Sequence, residues 1–554
     1  MSARTYGALA LERDAWVVSA LEPHVAIRFK ANFPQVSKAS AGPFRLPREA
    51  VVAADLAWFT ARYPLAADPA HLAALSAGKR GYEGDQAEVG RIMSAAYAPP
   101  SYAGLRDGQA VRLHQARNVE LVQRFGGLLV TDEVGEGKTY TGGAAFLAPG
   151  ALPGTVVCPP HLRIQWADKL KAFTTLKPVI VQGTKPYPLP PCDVRIFSYT
   201  SLQGWADQVE ALGTGLTVAD EISELRNGEG TEKGKAAGRL FRASRMRLGL
   251  DATPIYNYGD EIWRILQFLR PGLLGDLDDF LREWCGGSRQ VNDPEALGSF
   301  LREQHALIRK RGDGPQPNVI VQIIDHDTRA LDSVEALAHR LAVTAKTGAF
   351  EERGRAVREL DMLLRQATGI AKAKAVAAYV RILVEAGGPL ILAGWHRAVY
   401  DIWLRELADL NPVLFTGSES PAQKEAAKQA FLSGRSQVFI MSLRSGKGVD
   451  DLQRVASTAV VGELDWSPAV HKQFFGRLNR EGQICWPAPI NAIYLVADDG
   501  SDPAIMEING LKASQAHGIV DPGLGVLRVA SDASPLERLV QRYIDRVGAG
   551  GGGA

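Results

Sequence analysis

Residues 126–145 read GGLLVTDEVGEGKTYTGGAA, and this stretch decides how the first half of the chain folds. The apolar segment GGLLV runs directly into a glycine-containing loop that ends in Gly137, Lys138 and Thr139. Such loops point backbone N–H groups at phosphates. The strict GxxxxGK[ST] pattern fails because Asp132 stands where its first glycine belongs. We expect a buried strand followed by a phosphate-binding loop; a GKT that occurs by chance in a turn is the alternative, which the preceding strand disfavours.

Short apolar runs like GGLLV recur along most of the chain. They alternate with helical patterns, as a parallel sheet covered by helices on both faces requires. The first half continues with TVVCPP, RIFSY, LTVAD and RMRLGL. A second series consists of PLILAGW, PVLFTG, QVFIMSL, STAVVGEL and INAIYLVAD. The sequence therefore predicts an α/β fold with two parallel-sheet lobes in tandem.

The segments outside these two series set the expected domain limits. ALALERDAWVVSAL and HVAIRFKANF look rich in β-structure, and segments rich in Ala, Arg and Glu join the two series. Ser534 and Pro535 begin an amphipathic helical pattern ahead of a glycine-rich tail. We expect an N-terminal α+β accessory domain (1–100), lobe 1 (101–312), a helical connector (313–388), lobe 2 (389–515), and a C-terminal helix with a flexible tail (516–554).

Composition excludes several classes of protein. The 63 Lys and Arg nearly balance the 61 Asp and Glu, so a site for a polyanion must be a local patch. No apolar run approaches the ~20 residues of a membrane helix, and Glu12 and Asp14 do not fit a signal peptide. The four cysteines are far apart, and the ten histidines form no HExxH pair. We expect a cytoplasmic protein with reduced thiols, no zinc and no membrane association.

Two acids supply a second chemical element. Asp220 and Glu221 come directly after the apolar run in LTVADEISELRN. Phosphoryl transfer needs positioning and charge neutralisation, for which Lys138 can reach the β- and γ-phosphates. Thr139 and, through water, Asp220 can hold Mg²⁺, while Glu221 orients and deprotonates the attacking water. An Asp-Glu pair after a strand is also common as a plain helix N-terminus or turn, and that interpretation stays open.

Near the end of the second series, a basic helix supplies a further element. In ELDWSPAVHKQFFGRLNREGQ, Arg477 and Arg480 fall on one helical face with Gln473. From lobe 2 they can reach a γ-phosphate held by lobe 1, as arginine fingers that contribute ~10³ to 10⁵ in rate. The alternative is a solvated basic helix.

Taken in this order, the segments resemble the Swi/Snf-type branch of superfamily 2 helicases and DNA translocases, over roughly residues 105–500. TDEVGEGKT resembles that branch's DExGxGKT loop, VVCPPHLRIQW its motif Ia, DEISELRN its DEAH-type box and DATPIYN its motif III. MSLRSGKGVDDL resembles motif V and QFFGRLNREGQ motif VI. ELDWSPAVHKQ is similar to the small remodellers and annealing helicases, and ADLAWFTARYPL resembles segments of bacteriophage-encoded helicases.

The resemblance implies two RecA-like lobes with ATP and Mg²⁺ in the cleft and DNA, preferably double-stranded, across both lobes. It assigns ATP binding to Gln115, Asp132, Glu133, Gly135, Gly137, Lys138 and Thr139. It assigns catalysis to Asp220, Glu221, Gln473, Arg477 and Arg480, and the coupling of hydrolysis to movement to Thr253, Gly446 and Gly448. Gln115 is expected to read the adenine, because an amide can pair with both its donor and its acceptor.

Two positions depart from that family's pattern. Ser223 replaces the usual His of the acidic box, and Asp251 stands at the start of motif III. The first bears on how hydrolysis is coupled to movement, whereas magnesium and water positioning depend on Asp220 and Glu221, which remain. In the accessory domain, we expect Trp58, Phe59 and Tyr63 to be core aromatics.

A local basic patch is the main candidate for a DNA contact. Residues 226–247 contain seven Lys or Arg against two Glu. We expect sequence-independent contacts to phosphates, from Arg226, Lys235, Arg239 and Arg242. A solvated helix face is the alternative, there and for the cluster Arg309–Arg311. The function predicted is an ATP-dependent DNA translocase or helicase-like motor; the alternatives are an ATP-responsive DNA clamp with weak turnover and an RNA-directed helicase.

Overall fold

A computed structural model describes residues 4–33, 36–37, 39–255, 259–312, 314–443, 449–480 and 482–521. Three sheets organise these residues, one small and antiparallel and two larger and parallel. The helix expected near Ser534, the tail, Gly446 and Gly448 lie outside the described residues.

The N-terminal unit packs three helices against an antiparallel sheet of order β1-β2-β3. Its elements are β1 (Ala8–Glu12), β2 (Ala15–Ser19), α1 (Pro23–Asn32), β3 (Phe44–Pro47), α2 (Ala50–Arg62) and α3 (Pro69–Met93). The expectation of β-structure in HVAIRFKANF is wrong, because helix α1 occupies it, with Pro23 in its first turn and Val25 and Phe29 buried one turn apart. Trp58 is not a core residue either: its side chain is 60% exposed, while Phe59 is fully buried.

Lobe 1 is built on a seven-stranded parallel sheet of order β10-β4-β9-β8-β5-β7-β6. Its strands are β4 (Gly127–Val130), β5 (Gly154–Cys158), β6 (Pro178–Ile180), β7 (Val194–Ser198), β8 (Leu216–Asp220), β9 (Met246–Leu250) and β10 (Leu307–Ile308). Its helices are α4 (Leu113–Phe125), α5 (Lys138–Ala145), α6 (Arg163–Phe173), α7 (Tyr199–Gln203), α8 (Glu232–Ala243), α9 (Asp260–Leu269), α10 (Leu277–Trp284) and α11 (Pro294–Glu303).

Both faces of this sheet are buried, which explains the continuous apolar runs. Alternate residues of β4 enter different cores: Leu129 joins one cluster, and Leu128 and Val130 join the other. All five apolar runs of the first series are strands, at the centre of the sheet. The short strands β6 and β10 at its two edges have no such run.

Lobe 2 is built on a six-stranded parallel sheet of order β11-β16-β15-β12-β14-β13. Its strands are β11 (Asn318–Ile323), β12 (Leu390–Gly394), β13 (Val413–Phe415), β14 (Val438–Ser442), β15 (Thr458–Val461) and β16 (Asn491–Val496). Its helices are α12 (Arg329–Asp332), α13 (Glu335–Thr347), α14 (Phe350–Gly387), α15 (Arg397–Glu406), α16 (Pro421–Leu432), α17 (Pro468–Phe475) and α18 (Asp502–Val520). The fold class is thereby confirmed: two tandem parallel α/β lobes follow an N-terminal α+β unit.

Two elements differ from the expected division of the chain. The segment 313–388 is not helical throughout, since β11 pairs in parallel with β16 and forms the edge of the second sheet. Helix α18 runs across position 515 without a break. It begins against lobe 2, where Asp502 pairs with the buried Lys372 of α14, and it ends with Ile519 in a core cluster of lobe 1.

Candidate active site between the two lobes

The loop between β4 and α5 is shaped by two glycines. Gly135 and Gly137 adopt φ angles of +97° and +79°, a region that L side chains rarely adopt. A Cβ atom at Gly137 would lie 2.8 Å from Nε2 of Gln115, so the close approach of that side chain also requires glycine. The loop then enters α5 at Lys138, which directs the first N–H groups of this helix at the space above the loop.

Lys138 lies over the loop that precedes it. Its Nζ donates hydrogen bonds to the carbonyl oxygens of Asp132 (2.6 Å) and Glu133 (3.0 Å). Burial lowers the pKa of the ammonium, and the carboxylates of Asp132, Glu221, Asp251 and Asp220 oppose this shift. A phosphate on the loop would supply a further negative charge to this partly desolvated cation.

Asp132 and Glu133 fasten the loop to the segment after β10. Asp132 accepts hydrogen bonds from Asn118 Nδ2 (3.2 Å) and Lys310 N (2.7 Å). Glu133 pairs with Arg309 at 3.0 Å. The side chain of Arg309 is only 1% exposed, so neither interpretation of the Arg309–Arg311 cluster holds for it: it is a buried clamp on the loop. No signal in the sequence distinguishes this arginine from its two neighbours.

The acidic pair stands at the end of β8. Asp220 accepts a hydrogen bond from Trp166 Nε1 at 2.8 Å and another from the backbone N–H of Glu221 at 3.1 Å. Burial raises the pKa of Asp220, while Trp166 and Lys138 act in the opposite direction. Glu221 adopts a positive φ of +53°, which turns the chain sharply at the end of the strand. Trp166, the last residue of VVCPPHLRIQW, is a site residue that the sequence analysis did not assign.

Asp251 joins the acidic box to the following motif. Its carboxylate accepts a hydrogen bond from Ser223 N at 3.0 Å and another from Thr253 N at 2.8 Å. Thr253 is buried, and its hydroxyl has no hydrogen-bond partner among the described residues. Asp251, which departs from the family's pattern, therefore links the acidic box to motif III through these two hydrogen bonds.

Lobe 2 approaches this site through α17 and the turn after it. Gln473 Nε2 donates a hydrogen bond to Glu221 Oε2 at 3.3 Å. A Cβ atom at Gly476 would lie 3.2 Å from the side chain of Val134, so the loop also contacts the end of α17. The structure therefore brings the acidic pair and the loop of lobe 1 together with α17 of lobe 2 and the turn that follows it.

The expectation that Arg477 and Arg480 share a helical face with Gln473 is wrong, because α17 ends at Phe475 and both arginines lie in the turn and bend that follow. The two arginines differ in their contacts. Arg480 pairs with Asp450 at 2.6 Å and donates to Gly476 O at 2.9 Å. Arg477 makes no side-chain hydrogen bond or salt bridge with any residue that the structure describes. Burial and the neighbouring Arg480 lower the pKa of Arg477 to about 10, against the influence of Asp450 and Glu221. A half-buried guanidinium of this kind favours an anion as its ligand.

Gln115 is close to the loop but already has partners. Its Oε1 accepts a hydrogen bond from Arg112 N at 2.9 Å, and its Nε2 donates to Gly137 O at 3.3 Å. The side chain therefore supports the loop from the start of α4. These two bonds leave one N–H group and one acceptor lone pair of the amide, and adenine reading by Gln115 stays a prediction.

The cations of the basic strip have carboxylate or carbonyl partners. Lys235 pairs with Glu232, Arg239 with Asp207 and Arg242 with Glu229. Arg226 donates to Ser223 O at 3.1 Å. The three ion pairs are exposed, so they contribute little to folding and can exchange partners.

The described residues contain neither a cluster of metal-ligating side chains nor a helix that could span a membrane. No group of three or more His, Cys, Asp or Glu side chains is arranged to hold a metal ion within the described ranges. None of the helices in the part of the chain that the structure describes is both long and apolar enough to cross a membrane.

Comparison with known proteins agrees with this geometry. Residues 56–295 match the model of the SNF2-related domain. A SWI/SNF-related matrix-associated actin-dependent regulator of chromatin subfamily A-like protein 1 from Drosophila melanogaster is 25% identical over 411 residues, which cover 71% of this chain and 53% of the relative. An uncharacterized ATP-dependent helicase YqhH from Bacillus subtilis is 23% identical over 408 residues, which cover 66% of this chain and 72% of that protein.

Among solved structures, a Sulfolobus solfataricus SWI2/SNF2 ATPase core in complex with dsDNA aligns with 77% of this chain and 96% of its own. Its sequence identity is 17% and its TM-score 0.38. This chain spans about half the length of the animal relative, 53% of it.

Proposed function

We propose that this chain, which carries an SNF2-related domain, hydrolyses ATP between its two lobes and uses the energy to move along DNA. The observation that carries the proposal is the composite site. Gln473 of lobe 2 bonds Glu221 of lobe 1 at 3.3 Å, and Arg477 lies beside them without a partner among the described residues. This contact supports a nucleotide-hydrolysing site with one half in each lobe.

Lobe 1 supplies the ground-state binding of the nucleotide. The N–H groups at the start of α5 and the ammonium of Lys138 bind the phosphates. Arg309 and Lys310 hold the loop through Glu133 and Asp132, so the loop keeps its shape before the nucleotide arrives. This preorganisation lowers the ordering cost of binding.

Glu221 acts on the attacking water. It stands at the end of β8, where Gln473 of lobe 2 donates to one carboxylate oxygen. The other oxygen is then oriented to accept a proton from water that attacks the γ-phosphate. Because Gln473 belongs to lobe 2, the position of this base depends on how the lobes approach each other.

The residues present fit a magnesium ion that is held mainly through water. Thr139 offers a hydroxyl beside the loop, and Asp220 offers a carboxylate fixed by Trp166. Mg²⁺ commonly keeps several waters and takes few protein ligands, so this sparse donor set suffices together with the phosphates. Bound there, the ion would neutralise charge on the β- and γ-phosphates.

Arg477 and Arg480 complete the site from lobe 2 and sense the terminal phosphate. Arg477 has no hydrogen-bonded side-chain partner among the described residues that a phosphate would have to displace, whereas Arg480 must exchange Asp450 for it. Contacts that exist only with a γ-phosphate favour one arrangement of the lobes, and hydrolysis removes that preference. Alternate gripping of a DNA backbone by the two lobes would then produce steps.

DNA contacts through the basic strip are proposed to be sequence-independent. Arg239 and Arg242 are exposed and paired with single carboxylates, Asp207 and Glu229. A phosphate can replace such a partner at low cost. Thr253, with its unpartnered buried hydroxyl, is proposed to pass changes at the acidic box to the neighbouring segment through Asp251.

The decisive experiment measures ATP turnover alone and with duplex DNA, single-stranded DNA or RNA. The motor predicts stimulation by duplex DNA, together with ATP-dependent release of a third strand from a DNA triplex. Glu221→Gln serves as the hydrolysis-deficient control. Absence of stimulation by any DNA, in protein shown to be folded by its thermal melt, contradicts the proposal. Tight ATP-dependent DNA binding with turnover no faster than that of Glu221→Gln identifies a clamp, and stimulation by RNA alone an RNA-directed enzyme.

A further inference from the structure

A cavity of about 560 Å³ opens beside the phosphate-binding loop. Lobe 1 lines it with residues 133–136 of the loop and with Arg112 and His114 at the start of α4. Lobe 2 contributes, among others, Gln483 and Trp486, which lie after α17 in the chain. A volume of this size holds a small molecule with several polar contacts.

The cavity is continuous with the site proposed for the phosphates. It shares Gly135 and Glu136 with the loop, and a Cβ atom at Gly135 would lie 3.5 Å from that of Arg480, on the opposite wall. His114 Nε2 lies 3.1 Å from the carbonyl oxygen of Glu136. A nucleotide whose phosphates lie on the loop therefore has this cavity within reach of its sugar and base.

Trp486 presents an aromatic surface at the edge of this cavity. Its side chain is 56% exposed, so much of the ring is open to a ligand. A Cβ atom at Gly314 would lie 2.9 Å from the ring, so one edge of the indole packs closely on the backbone there. An exposed indole beside a nucleotide-sized cavity is suited to stack on a planar base.

Gln483 adds a polar group at the wall of the same cavity. It is 5% exposed, and its Nε2 donates to Ala488 O at 3.0 Å. Its Oε1 has no hydrogen-bond partner among the described residues. A buried acceptor without a partner is costly, and a ligand N–H group would satisfy it. Adenine carries an exocyclic amine at the corresponding edge, whereas guanine carries an acceptor.

We infer that Trp486 and Gln483 form a base-recognition subsite contributed by lobe 2, with a preference for adenine nucleotides. The inference rests on the proposed function, since it deepens the same nucleotide site. Gln115 of lobe 1 already bonds Arg112 N and Gly137 O, and its amide keeps one further donor and one further acceptor position. Lobe 2 therefore adds to the selection of the base, and the subsite is complete only when the two lobes face each other.

The test compares nucleotide affinity in Trp486→Ala, Trp486→Phe and the full wild-type chain by displacement of a fluorescent ATP analogue, which needs no hydrolysis. ATP, GTP and inorganic tripolyphosphate are the competitors. Loss of the indole weakens ATP on the order of ten-fold, the scale of one stacked base, and leaves tripolyphosphate unchanged. Trp486→Phe keeps most of the ATP affinity. Trp58→Ala, which removes an equally exposed indole from the N-terminal unit, is the matched control and leaves all three affinities unchanged.

Gln483→Leu tests the acceptor separately, and it reduces the preference for ATP over GTP by roughly ten-fold. The inference is overturned if Trp486→Ala leaves ATP affinity unchanged, or if it weakens tripolyphosphate as much as ATP, since the indole would then support the loop and not the base. It is also overturned if the ATP to GTP ratio survives Gln483→Leu. Wild-type protein that binds ATP with this selectivity and does not hydrolyse it refutes the proposed function alone.

Discussion

At the scale of single residues, we propose separable tasks for Lys138 and Arg480. Lys138 lies in lobe 1 and bonds the loop carbonyls directly, whereas Arg480 is held in lobe 2 by Asp450. We expect Lys138→Ala to abolish nucleotide-dependent activity. Arg480→Ala spares ATP binding and lowers turnover by ~10³ or more, the scale of an arginine finger.

ATP binding by calorimetry and steady-state turnover measure these two effects independently. Arg477→Ala belongs in the same series, because the side chain has no described partner that its removal would leave unpaired. Equal loss of ATP binding in Lys138→Ala and Arg480→Ala would contradict the separate roles.

His471, two residues before Gln473, makes stability depend on pH. Its ring is buried, accepts a hydrogen bond from Asp465 N at 2.9 Å and packs on Tyr494. Burial lowers the pKa of His471 to about 4, while Asp465 acts to raise it and Arg365 to lower it further. The unfolded chain takes up this proton near pH 6.5 and the folded chain only near 4.

The stability that neutral His471 provides is therefore complete above pH 6.5 and is lost as the pH falls towards 4, by roughly 3 kcal/mol in all. Urea unfolding at a series of pH values measures this slope. His471→Gln keeps an acceptor without titrating there, and we expect its free energy of unfolding to fall less steeply. Parallel slopes for both proteins would rule out His471 as the source.

At the scale of secondary-structure elements, helix α18 makes hydrogen bonds to both lobes. Asn509 Nδ2 donates to Asp465 O in lobe 2, while Arg302 of α11 donates to Val520 O in lobe 1. Asp521 at its end pairs with Arg309 and Arg311 at 2.9 and 3.0 Å. Since Arg309 also pairs with Glu133, two salt bridges that share Arg309 link the end of α18 to the loop between β4 and α5.

We expect Asp521→Asn to destabilise the protein by about 1–3 kcal/mol, because it removes one of two carboxylates around a buried arginine. The loosened loop should also weaken ATP binding. Denaturant unfolding and ATP titration measure the two effects. Asp327→Asn, which breaks an exposed pair with Arg329, is the matched control and should change neither. A stable Asp521→Asn protein with normal ATP affinity would show that the contact is dispensable.

The elements that the sequence did not predict are those whose signal is not local. HVAIRFKANF fits both helical and strand periods, and only Pro23 in the first turn favours the helix that forms. Strand β11 lies between segments with helical periodicity and is defined by its pairing with β16, far away in the sequence. The central strands are predictable because burial on both faces makes their runs wholly apolar.

At the scale of the whole molecule, the order of the motifs predicts a shared site but not its contacts. Gln473 and Glu221 are 252 positions apart, and no pattern in either segment states which atoms will meet. The sequence does not show that Arg309 is buried either, because its partner Asp521 lies more than 200 residues later in the chain. Local sequence therefore predicts which functional side chains stand at the end of one strand. The contacts between the two lobes depend on how the whole chain packs, and local sequence does not predict them.

At the same scale, the near balance of positive and negative charge bears on where DNA can bind. With a formal charge of only +2, DNA binding must come from local cations such as Arg239 and Arg242. Each phosphate contact contributes about 0.9 to the slope of log affinity against log salt concentration. Replacing both arginines with alanine should therefore weaken duplex DNA binding and reduce that slope by about 2.

Neutralising the acidic partners of these two arginines should have the opposite effect on DNA binding. Asp207→Asn with Glu229→Gln releases both arginines from their ion pairs, so we expect tighter DNA binding at low salt. Fluorescence anisotropy with a labelled duplex at several salt concentrations measures all three proteins. Arg329→Ala with Arg397→Ala removes two exposed, paired arginines of lobe 2 and serves as the control for net charge. If its slope changes as much as that of the double arginine variant, the strip is not the DNA-binding surface, because only overall charge is then being measured.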